Sequence, residues 1–395
     1  MQTYIAQASH KPLVHSQLSN TATMRAQVLE AFNTAYVLKD VPKPSGPTGV
    51  DILVQVEAAS YCHTDAVFAS GAMWQDLPRI GSHEFAGTIV AMGPDVSPDL
   101  NLKVGLRVGI PGRAFHPCGK CKECTQNDGD PKEYGVWCTK AGNLGLSADG
   151  GFQEYCIADS RQVAPVPAGM TSVETAPLMC AGLTIWNALS RVLGKMERGA
   201  GAGYTVAISG AGGGLGHLGV QFAAKLGCRV VAIDTADSAL ALLQDVATDL
   251  GPLGSNVTIV DARKQTPEDV RIAVCGKPEP KREGEKGVDA LLVLPESQKA
   301  LEYGMKLIRD HGICVTVSFP KEGFLIQPRD LVFRHISMVG VLVGRNRQLR
   351  AMLNFAAAEG VRAKVTVYSL EKLNSLVDDY NKGASGKLVV DVLSK

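Results

Sequence analysis

The sequence lacks any run of about 20 apolar residues, the length that a helix needs to cross a bilayer. Its first 24 residues also lack the apolar core of a signal peptide. Neither charge is in surplus, because 40 basic and 39 acidic side chains leave a net charge of +1. Nucleic-acid binders usually carry a basic surplus, so we expect no nucleic-acid partner and no membrane partner. These absences predict a cytoplasmic globular protein.

The length and composition predict more than one domain. A chain of 395 residues suggests two or three domains, and 45% apolar with 20% charged residues excludes disorder as the main state. Residues 1–23 are predicted to be a mobile leader. Residues 24–181 and 344–395 are predicted to form an irregular, β-rich domain, whereas residues 182–343 are predicted to form a separate domain of alternating strands and helices.

After Cys180 the predicted elements alternate between strands and helices. The strands are predicted at 205–209, 229–234, 258–260, 290–294, 313–317 and 338–343, and the helices at 181–193, 215–226 and 348–359. This alternation implies a parallel sheet with helices on both of its faces. A last strand-like segment at 388–393 is expected to return to the first domain.

A glycine-rich turn joins the first of these strands to the helix that follows. Its candidate cofactor-binding residues are Gly210, Gly212, Gly213, Gly214, Leu215 and Gly216. Glycines let the backbone approach a pyrophosphate, and the helix N-terminus supplies free N–H groups. The strict G-x-G-x-x-G pattern fails by one position, so a tight strand–helix connection without a ligand is the alternative. His217, just after the turn, is expected to face solvent.

Asp234 ends the next predicted strand, 24 residues after Gly210. A carboxylate at this position can accept hydrogen bonds from the adenosine ribose hydroxyls and would repel a 2′-phosphate. The sequence therefore favours NAD over NADP. A solvated carboxylate at a strand end is the alternative interpretation of Asp234.

Four cysteines predict a structural zinc site. Cys118, Cys121 and Cys124 are each separated by two residues, and Cys138 follows after thirteen more. Four thiolates close a tetrahedral zinc site and leave no open position for chemistry. The wide gap makes Cys138 the uncertain ligand, and unrelated surface thiols are the alternative.

A second candidate metal set comprises Cys62, His83, Glu84 and Cys180. Two thiolates and one imidazole can hold Zn²⁺ and leave a fourth position for water or substrate. Asp65, without binding the metal itself, could orient the ring of His83. Spacing alone does not select these residues, because each has an ordinary structural interpretation.

Five motifs together resemble the zinc-dependent medium-chain alcohol dehydrogenases. They are Cys62-His-Thr-Asp65, His83-Glu-Phe-Ala-Gly87, the closely spaced cysteines, Cys180-Ala-Gly-Leu-Thr184 and the turn 210–216, which looks most like the yeast-type branch. The resemblance implies an α/β fold with a GroES-like β-rich catalytic domain and a Rossmann domain that holds a doubly wound parallel sheet. It also implies hydride transfer between NAD(H) and a primary or secondary alcohol, or the matching aldehyde or ketone.

The resemblance assigns roles to individual residues. It implies two zinc ions per chain, a catalytic one on Cys62, His83 and Cys180 and a structural one on the four cysteines 118, 121, 124 and 138. Glu84 would be a nearby carboxylate that ligates the catalytic zinc transiently. His63 and Lys387 would lie beside the cofactor pyrophosphate, and Thr64 beside the reacting oxygen. A homo-oligomer, either a dimer or a tetramer, is expected.

The sequence departs from the family pattern near the predicted pocket. Ser82 replaces the usual Gly before His83, and Val67 replaces a His that often ends the proton relay. Arg113 or Phe115 is expected to shape an unusual pocket, which suggests a specialised substrate, for instance in secondary metabolism. Two other interpretations stay open: a non-catalytic zinc and dinucleotide-binding protein, and a zinc-independent quinone reductase of the same superfamily.

Overall fold

The structure is a computed structural model that describes residues 22–73, 76–125, 135–194, 203–275 and 283–394. Most of the predicted leader, residues 1–21, lies outside this range, and Thr23 already belongs to the first strand. None of the helices in the described residues has the length and apolarity that a bilayer crossing requires.

The first part of the chain consists of strands joined by long loops and short helices. Its elements are β1 (Thr23–Leu29), β2 (Val37–Pro42), β3 (Asp51–Tyr61), α1 (His63–Ala69), β4 (Arg79–Ile80), β5 (Glu84–Met92), β6 (Arg107–Pro111), α2 (Lys122–Thr125), β7 (Tyr155–Asp159), β8 (Ala164–Pro165) and α3 (Ser172–Thr175).

The second part alternates helices and strands, as the sequence predicts. Its elements are α4 (Ala181–Leu193), β9 (Thr205–Ser209), α5 (Gly216–Lys225), β10 (Arg229–Asp234), α6 (Asp237–Asp249), β11 (Val257–Asp261), α7 (Pro267–Cys275), β12 (Val288–Val293), α8 (Gln298–Met305), β13 (Ile308–Thr316), α9 (Pro328–Phe333), β14 (Ser337–Gly340) and α10 (Asn346–Glu359). The tail adds β15 (Val365–Ser369), α11 (Leu373–Asn381) and β16 (Lys387–Asp391). Every strand and helix predicted after Cys180 is present in the described residues, and their ends are shifted by at most five residues.

The second part contains a six-stranded sheet in the order β11-β10-β9-β12-β13-β14, with every neighbouring pair parallel. The chain moves outward from β9 to β11 and then crosses to β12 on the other side of β9. This reversal is a topological switch point, where α/β sheets bind ligands outside the carboxyl ends of their strands. The glycine-rich turn follows β9 and therefore lies at that point.

Both faces of this sheet are covered by helices. Val206 and Ile208 of β9 pack in one apolar cluster with Leu183 of α4 and other helix residues, whereas Ala207 packs in another. The second cluster includes side chains of α7 and α8. Burial on both faces explains why β9 is an apolar run rather than an alternating pattern. The predicted doubly wound sheet is confirmed.

The last strand returns to the first part of the chain. β16 pairs antiparallel with β3, with Leu388 opposite Tyr61, and lies in the seven-stranded sheet ordered β15-β16-β3-β5-β6-β8, to which β7 also adds through β3. The expected return of the tail is therefore confirmed. It brings Lys387, at the start of β16, close to the beginning of β5.

Candidate active site

Asp65 organises the first candidate metal site. Its side chain is 1% exposed and accepts hydrogen bonds from the backbone N–H of Cys62 (2.9 Å) and of Ser82 (3.1 Å). It also accepts one from Nδ1 of His83 at 3.1 Å. The four-residue motif from 62 to 65 forms the first turn of α1, which places Asp65 behind Cys62. One buried carboxylate thus fixes the backbone or ring of two predicted zinc ligands.

The three predicted donors converge. The sulfur atoms of Cys62 and Cys180 and a ring nitrogen of His83 all lie within 4.8 Å of one another. His83 is buried, and its Nε2 has no hydrogen-bond partner although Nδ1 is bonded to Asp65. A buried imidazole nitrogen with no hydrogen-bond partner, on a ring beside two thiols, is available to ligate a metal ion. The donor set fits zinc.

The electrostatics of this cluster favour a negative charge on one thiol. The neighbouring Cys180 thiol, acting as hydrogen-bond donor, lowers the pKa of Cys62 well below its usual value, whereas the pKa of Cys180 is raised well above it. Burial disfavours the charged form of His83, but Asp65 more than offsets this and raises the pKa of the imidazole. A divalent cation is the partner that would stabilise both thiolates.

Glu84 and Lys387 form a buried ion pair beside this cluster. Their side chains are 0% and 3% exposed, and Oε1 of Glu84 accepts from Nζ of Lys387. The ammonium also donates to the carbonyl of Tyr61 at 2.8 Å, and Oε2 of Glu84 accepts from the N–H of Ala181 at 3.2 Å. Burial raises the pKa of Glu84, and the Lys387 charge opposes that rise.

The ion pair between Glu84 and Lys387 affects the roles that were predicted for these two residues at the zinc and at the cofactor. Glu84 is not among the converged donors, so its transient ligation of zinc stays a prediction. A Cβ atom at Gly214 would lie 3.0 Å from Cδ of Lys387, so the stem of Lys387 does lie against the glycine-rich turn. Its ammonium, however, is directed to Glu84 and Tyr61 rather than toward the turn, and the predicted pyrophosphate contact stays untested.

The four remaining site cysteines also converge. The sulfur atoms of Cys118, Cys121, Cys124 and Cys138 all lie within 4.8 Å of one another. Backbone N–H groups of Cys121 and Cys118 donate to the sulfurs of Cys118 and Cys138, each at 3.4 Å. Such donors stabilise thiolates. Cys138, the uncertain ligand from its spacing, is therefore part of this second cluster.

The glycine-rich turn leaves no room for side chains at two of its positions. A Cβ atom at Gly216 would lie 2.2 Å from the carbonyl oxygen of Gly210, and one at Gly212 would lie 2.5 Å from that of Ala239. The N–H of Gly212 donates to Asp234 at 2.9 Å, and Asp234 also accepts from Thr235 at 2.8 Å. The turn therefore holds the carboxylate of Asp234 at the carboxyl end of β10, next to the switch point.

A cavity of about 250 Å³ adjoins the first metal cluster. Its lining includes Thr64, His83 and Cys180, together with Arg113 and several apolar side chains. Phe115 instead lines a separate, larger cavity of about 440 Å³ that contains none of the predicted catalytic residues, and it stacks on His116. Of the two residues expected to shape the pocket, Arg113 is the one that does so.

Comparison with known proteins identifies the family. Residues 48–168 match the alcohol dehydrogenase GroES-like domain, and residues 214–358 match the zinc-binding dehydrogenase family. An alcohol dehydrogenase from Geobacillus stearothermophilus is 36% identical over 372 residues, which cover 93% of this chain and 100% of that protein. The chain belongs to the zinc-dependent medium-chain alcohol dehydrogenase family. It is thus an oxidoreductase with the predicted GroES-like and Rossmann domains.

Solved structures agree with this assignment. The alcohol dehydrogenase of Aeropyrum pernix has a TM-score of 0.77 and 26% identity, covering 93% of this chain and 100% of that one. The acetophenone reductase of Geotrichum candidum, solved in complex with NAD, has a TM-score of 0.74 and 22% identity, covering 95% of this chain and 99% of that one. Zinc as a cofactor agrees with the match to the zinc-binding dehydrogenase family, and the choice of NAD stays a prediction. The yeast-type branch, the domain boundaries and the cytoplasmic location stay predictions.

His63 bridges the cleft between the two domains. Its Nδ1 is bonded to the hydroxyl of Tyr380 at 2.9 Å, and its Nε2 to Oε1 of Glu296 at 3.2 Å. Glu296 follows β12 at the carboxyl end of the Rossmann sheet, on the side where the turn lies. Sequence reasoning missed both Tyr380 and Glu296 because neither belongs to a motif.

The expectation for His217 was wrong, since this residue is 0% exposed. Its Nδ1 donates to the carbonyl of Gly213 at 2.8 Å, and its Nε2 accepts from the N–H of Lys364 at 3.1 Å. Burial lowers its pKa to about 4, so the ring is neutral near pH 7. His217 therefore ties the glycine-rich turn to the start of the tail. Residues 216–224 of α5 are all buried, and the mostly apolar run around His217 was the available signal.

Proposed function

We propose that the protein is a zinc- and NAD-dependent alcohol dehydrogenase. It would transfer a hydride between NAD(H) and a primary or secondary alcohol, or the matching aldehyde or ketone. The observation that carries the proposal is His83: its buried Nε2 has no hydrogen-bond partner, and its ring lies beside the sulfurs of Cys62 and Cys180 at the edge of a cavity. If His83 had only a structural role, this nitrogen would be expected to have a hydrogen-bond partner, because an unpaired polar atom in the interior costs free energy.

The residues around the cavity have distinct tasks in this reaction. Zinc on Cys62, His83 and Cys180 would supply Lewis-acid stabilisation of the substrate oxygen, and NAD would accept or return the hydride. Asp65 accepts from Nδ1 of His83 and so keeps the Nε2 lone pair available for the metal. Thr64, which lines the same cavity, would relay the proton of the alcohol, accepting it while its own hydroxyl proton passes on to the next acceptor. Val67 has no titratable group, so that proton would leave through water, His63 or another route.

The choice of NAD rests on Asp234. Its carboxylate is held by the turn and by the N–H groups after β10, where the adenosine ribose of a dinucleotide would lie. A negative charge at this point accepts hydrogen bonds from the 2′- and 3′-hydroxyls and repels a 2′-phosphate. The next two residues, Thr235 and Ala236, provide no cation to bind that phosphate.

The second cluster is proposed to hold the structural zinc. Four cysteine sulfurs leave no open coordination position, so this ion would stabilise the lobe between β6 and β7 without taking part in hydride transfer. The full protein is thus expected to contain two zinc ions per chain.

A homo-oligomer is also proposed. β14 is an edge strand of the Rossmann sheet, and large apolar side chains close to it are exposed, among them Val332, Phe333 and Leu342. Edge strands with exposed apolar neighbours are ready to pair with another chain. Light scattering coupled to size-exclusion chromatography distinguishes a monomer from a dimer or tetramer.

One experiment tests the proposed activity. The purified protein is analysed for metal and assayed at the nicotinamide absorbance on a panel of alcohols, aldehydes and ketones, with each cofactor, before and after chelation. We expect two zinc ions per chain, a preference for NAD(H), and loss of turnover when zinc is removed. Chelator-insensitive turnover would favour the quinone reductase, and zinc with bound NADH but no turnover would favour a non-catalytic protein.

A further inference from the structure

Ser82, which stands where the family usually has glycine, has the backbone conformation of a glycine. Its φ is 70°, in the left-handed region that is costly for a residue with a Cβ atom. Ser82 is also 0% exposed. A glycine would adopt the same φ without strain, so the serine side chain costs folding free energy unless its contacts offset that cost. Strained backbone positions of this kind concentrate at functional sites.

A neighbouring loop packs closely against the peptide unit between Ser82 and His83. A Cβ atom at Gly145 would lie 2.4 Å from the carbonyl oxygen of Ser82, and one at Gly150 would lie 1.9 Å from the same oxygen. The N–H of Gly151 donates to this oxygen at 2.9 Å. Because this side of the peptide unit is fixed by the loop, a change in the backbone of Ser82 would displace His83.

The hydroxyl of Ser82 joins the ends of two strands. Its Oγ lies 3.1 Å from the carbonyl oxygen of Ser60, near the end of β3, and 3.3 Å from that of Glu84, at the start of β5. The single hydrogen of the hydroxyl is shared between these two acceptors. The pairing register of β3 with β5 ends close by, with Ala59 opposite Phe85. The hydroxyl therefore extends the connection between the two strands beyond their last pair.

Both strand ends lead directly to predicted zinc ligands. Cys62 follows the last residue of β3, and His83 precedes the first residue of β5. The N–H of Ser82 and Nδ1 of His83 also donate to the same oxygen, Oδ1 of Asp65, each at 3.1 Å. Ser82 therefore contacts the two strand ends through its hydroxyl, and the carboxylate that orients His83 through its N–H.

We propose that Ser82 is a positioning residue for the catalytic zinc. Its hydroxyl holds the end of β3 against the start of β5 and so keeps the donor atoms of Cys62 and His83 within 4.8 Å of each other. The proposal rests on the function proposed above, which places zinc at this cluster, and adds a residue outside the ligand set that determines how tightly the metal binds. Groups that orient metal ligands contribute about 10- to 100-fold in metal affinity. Since the hydroxyl acts through the backbone, we expect the lower end of this range.

Competition for zinc tests this proposal without any need for turnover. The zinc affinity of each cluster is measured against a chelator in the wild type, Ser82→Ala and Ser82→Gly, and Cys62→Ala identifies which zinc ion belongs to the first metal cluster. Thermal melting at saturating zinc gives the stability of each variant. Ser172→Ala is the control, because the buried hydroxyl of Ser172 also donates, to Glu57, but lies outside both clusters.

We expect both Ser82 variants to bind zinc at the first metal cluster about 10-fold more weakly than the wild type. Zinc affinity at the four-cysteine cluster should be unchanged in these variants, and Ser172→Ala should keep both affinities. Ser82→Gly should melt at a higher temperature than Ser82→Ala, because glycine adopts the left-handed φ without strain, yet it should bind the first zinc no more tightly. A residue that served only stability would not separate the melting temperature from the zinc affinity.

The role of Ser82 is overturned if both variants keep the wild-type affinity at the first metal cluster while the wild type holds two zinc ions. Equal weakening of both clusters, or a zinc affinity that follows the melting temperature, would also overturn it and would show a general effect on stability. The proposed function survives each of these results. A wild type that holds a single zinc ion, on the four cysteines, would instead refute the proposed function and the role of Ser82 together.

Discussion

Replacing Lys387 by Met should destabilise the protein strongly. The ammonium is 3% exposed and the carboxylate of Glu84 is fully buried, so the variant leaves a carboxylate in the interior with the N–H of Ala181 as its remaining donor. Removing one partner of a buried ion pair costs roughly 3 to 5 kcal/mol, because the other charge keeps its desolvation penalty. Part of this loss comes from the carbonyl of Tyr61, which also loses its donor.

A double-mutant cycle measures the coupling between the two side chains. Lys387→Met, Glu84→Gln and the double variant are unfolded in urea, with zinc content equalised and circular dichroism as the signal. The double variant no longer contains a buried charge at either position, so its cost should be at least about 2 kcal/mol smaller than the sum of the two single costs.

A surface ion pair serves as the control for this cycle. Lys364 and Asp249 are paired but their side chains are 38% and 61% exposed. Lys364→Met should therefore change the free energy of unfolding by less than about 1 kcal/mol. If Lys387→Met costs no more than this control but weakens NAD binding, the ammonium serves the cofactor and its pairing with Glu84 is not structural.

Three further predictions concern the metal, the cofactor and the turn. Cys62→Ala should abolish turnover and remove one of two zinc ions while NADH still binds, which fluorescence titration and metal analysis will check; turnover in a zinc-depleted variant would contradict the mechanism. Asp234→Gly should raise the KM for NAD relative to that for NADP, and an unchanged ratio would contradict the ribose contact. The pKa of His217 is lowered from 6.5 to about 4, so the neutral ring contributes stability that is complete above pH 6.5 and is lost as the pH falls toward 4. His217 should lower the free energy of unfolding by on the order of 3 kcal/mol between pH 6.5 and 4. In His217→Gln the free energy of unfolding should therefore depend less on pH in this range.

Residues within short motifs could be placed from the sequence. Cys62 and Asp65 are one helical turn apart, and the glycines of the turn lie between a strand and a helix, so local geometry alone positions them. The alternation after Cys180 likewise predicted the parallel sheet and both of its helical layers. These inferences depend on chain neighbours, which the sequence shows directly.

Contacts between distant segments could not be derived in the same way. Lys387 and Glu84 are 303 positions apart, and their pairing depends on how β16 returns to β3. The bridge from His63 to Glu296 likewise depends on how the two domains meet. Whether Arg113 or Phe115 faces the pocket is decided by the left-handed backbone of Ala114 between them, at a φ of 54°. A motif does not encode such a change of direction.

The same ion pair explains why the two cofactor sites are expected to respond together. Glu84 follows the zinc ligand His83, and it accepts from the N–H at the start of α4, the first helix packed on the Rossmann sheet. Its partner Lys387 lies with its stem against Gly214 of the turn. A substitution at either charged residue should therefore disturb both the zinc ligand His83 and the glycine-rich turn that is predicted to bind the dinucleotide. Zinc affinity and NAD affinity should change together in Lys387→Met, whereas in Cys62→Ala only the metal should be lost.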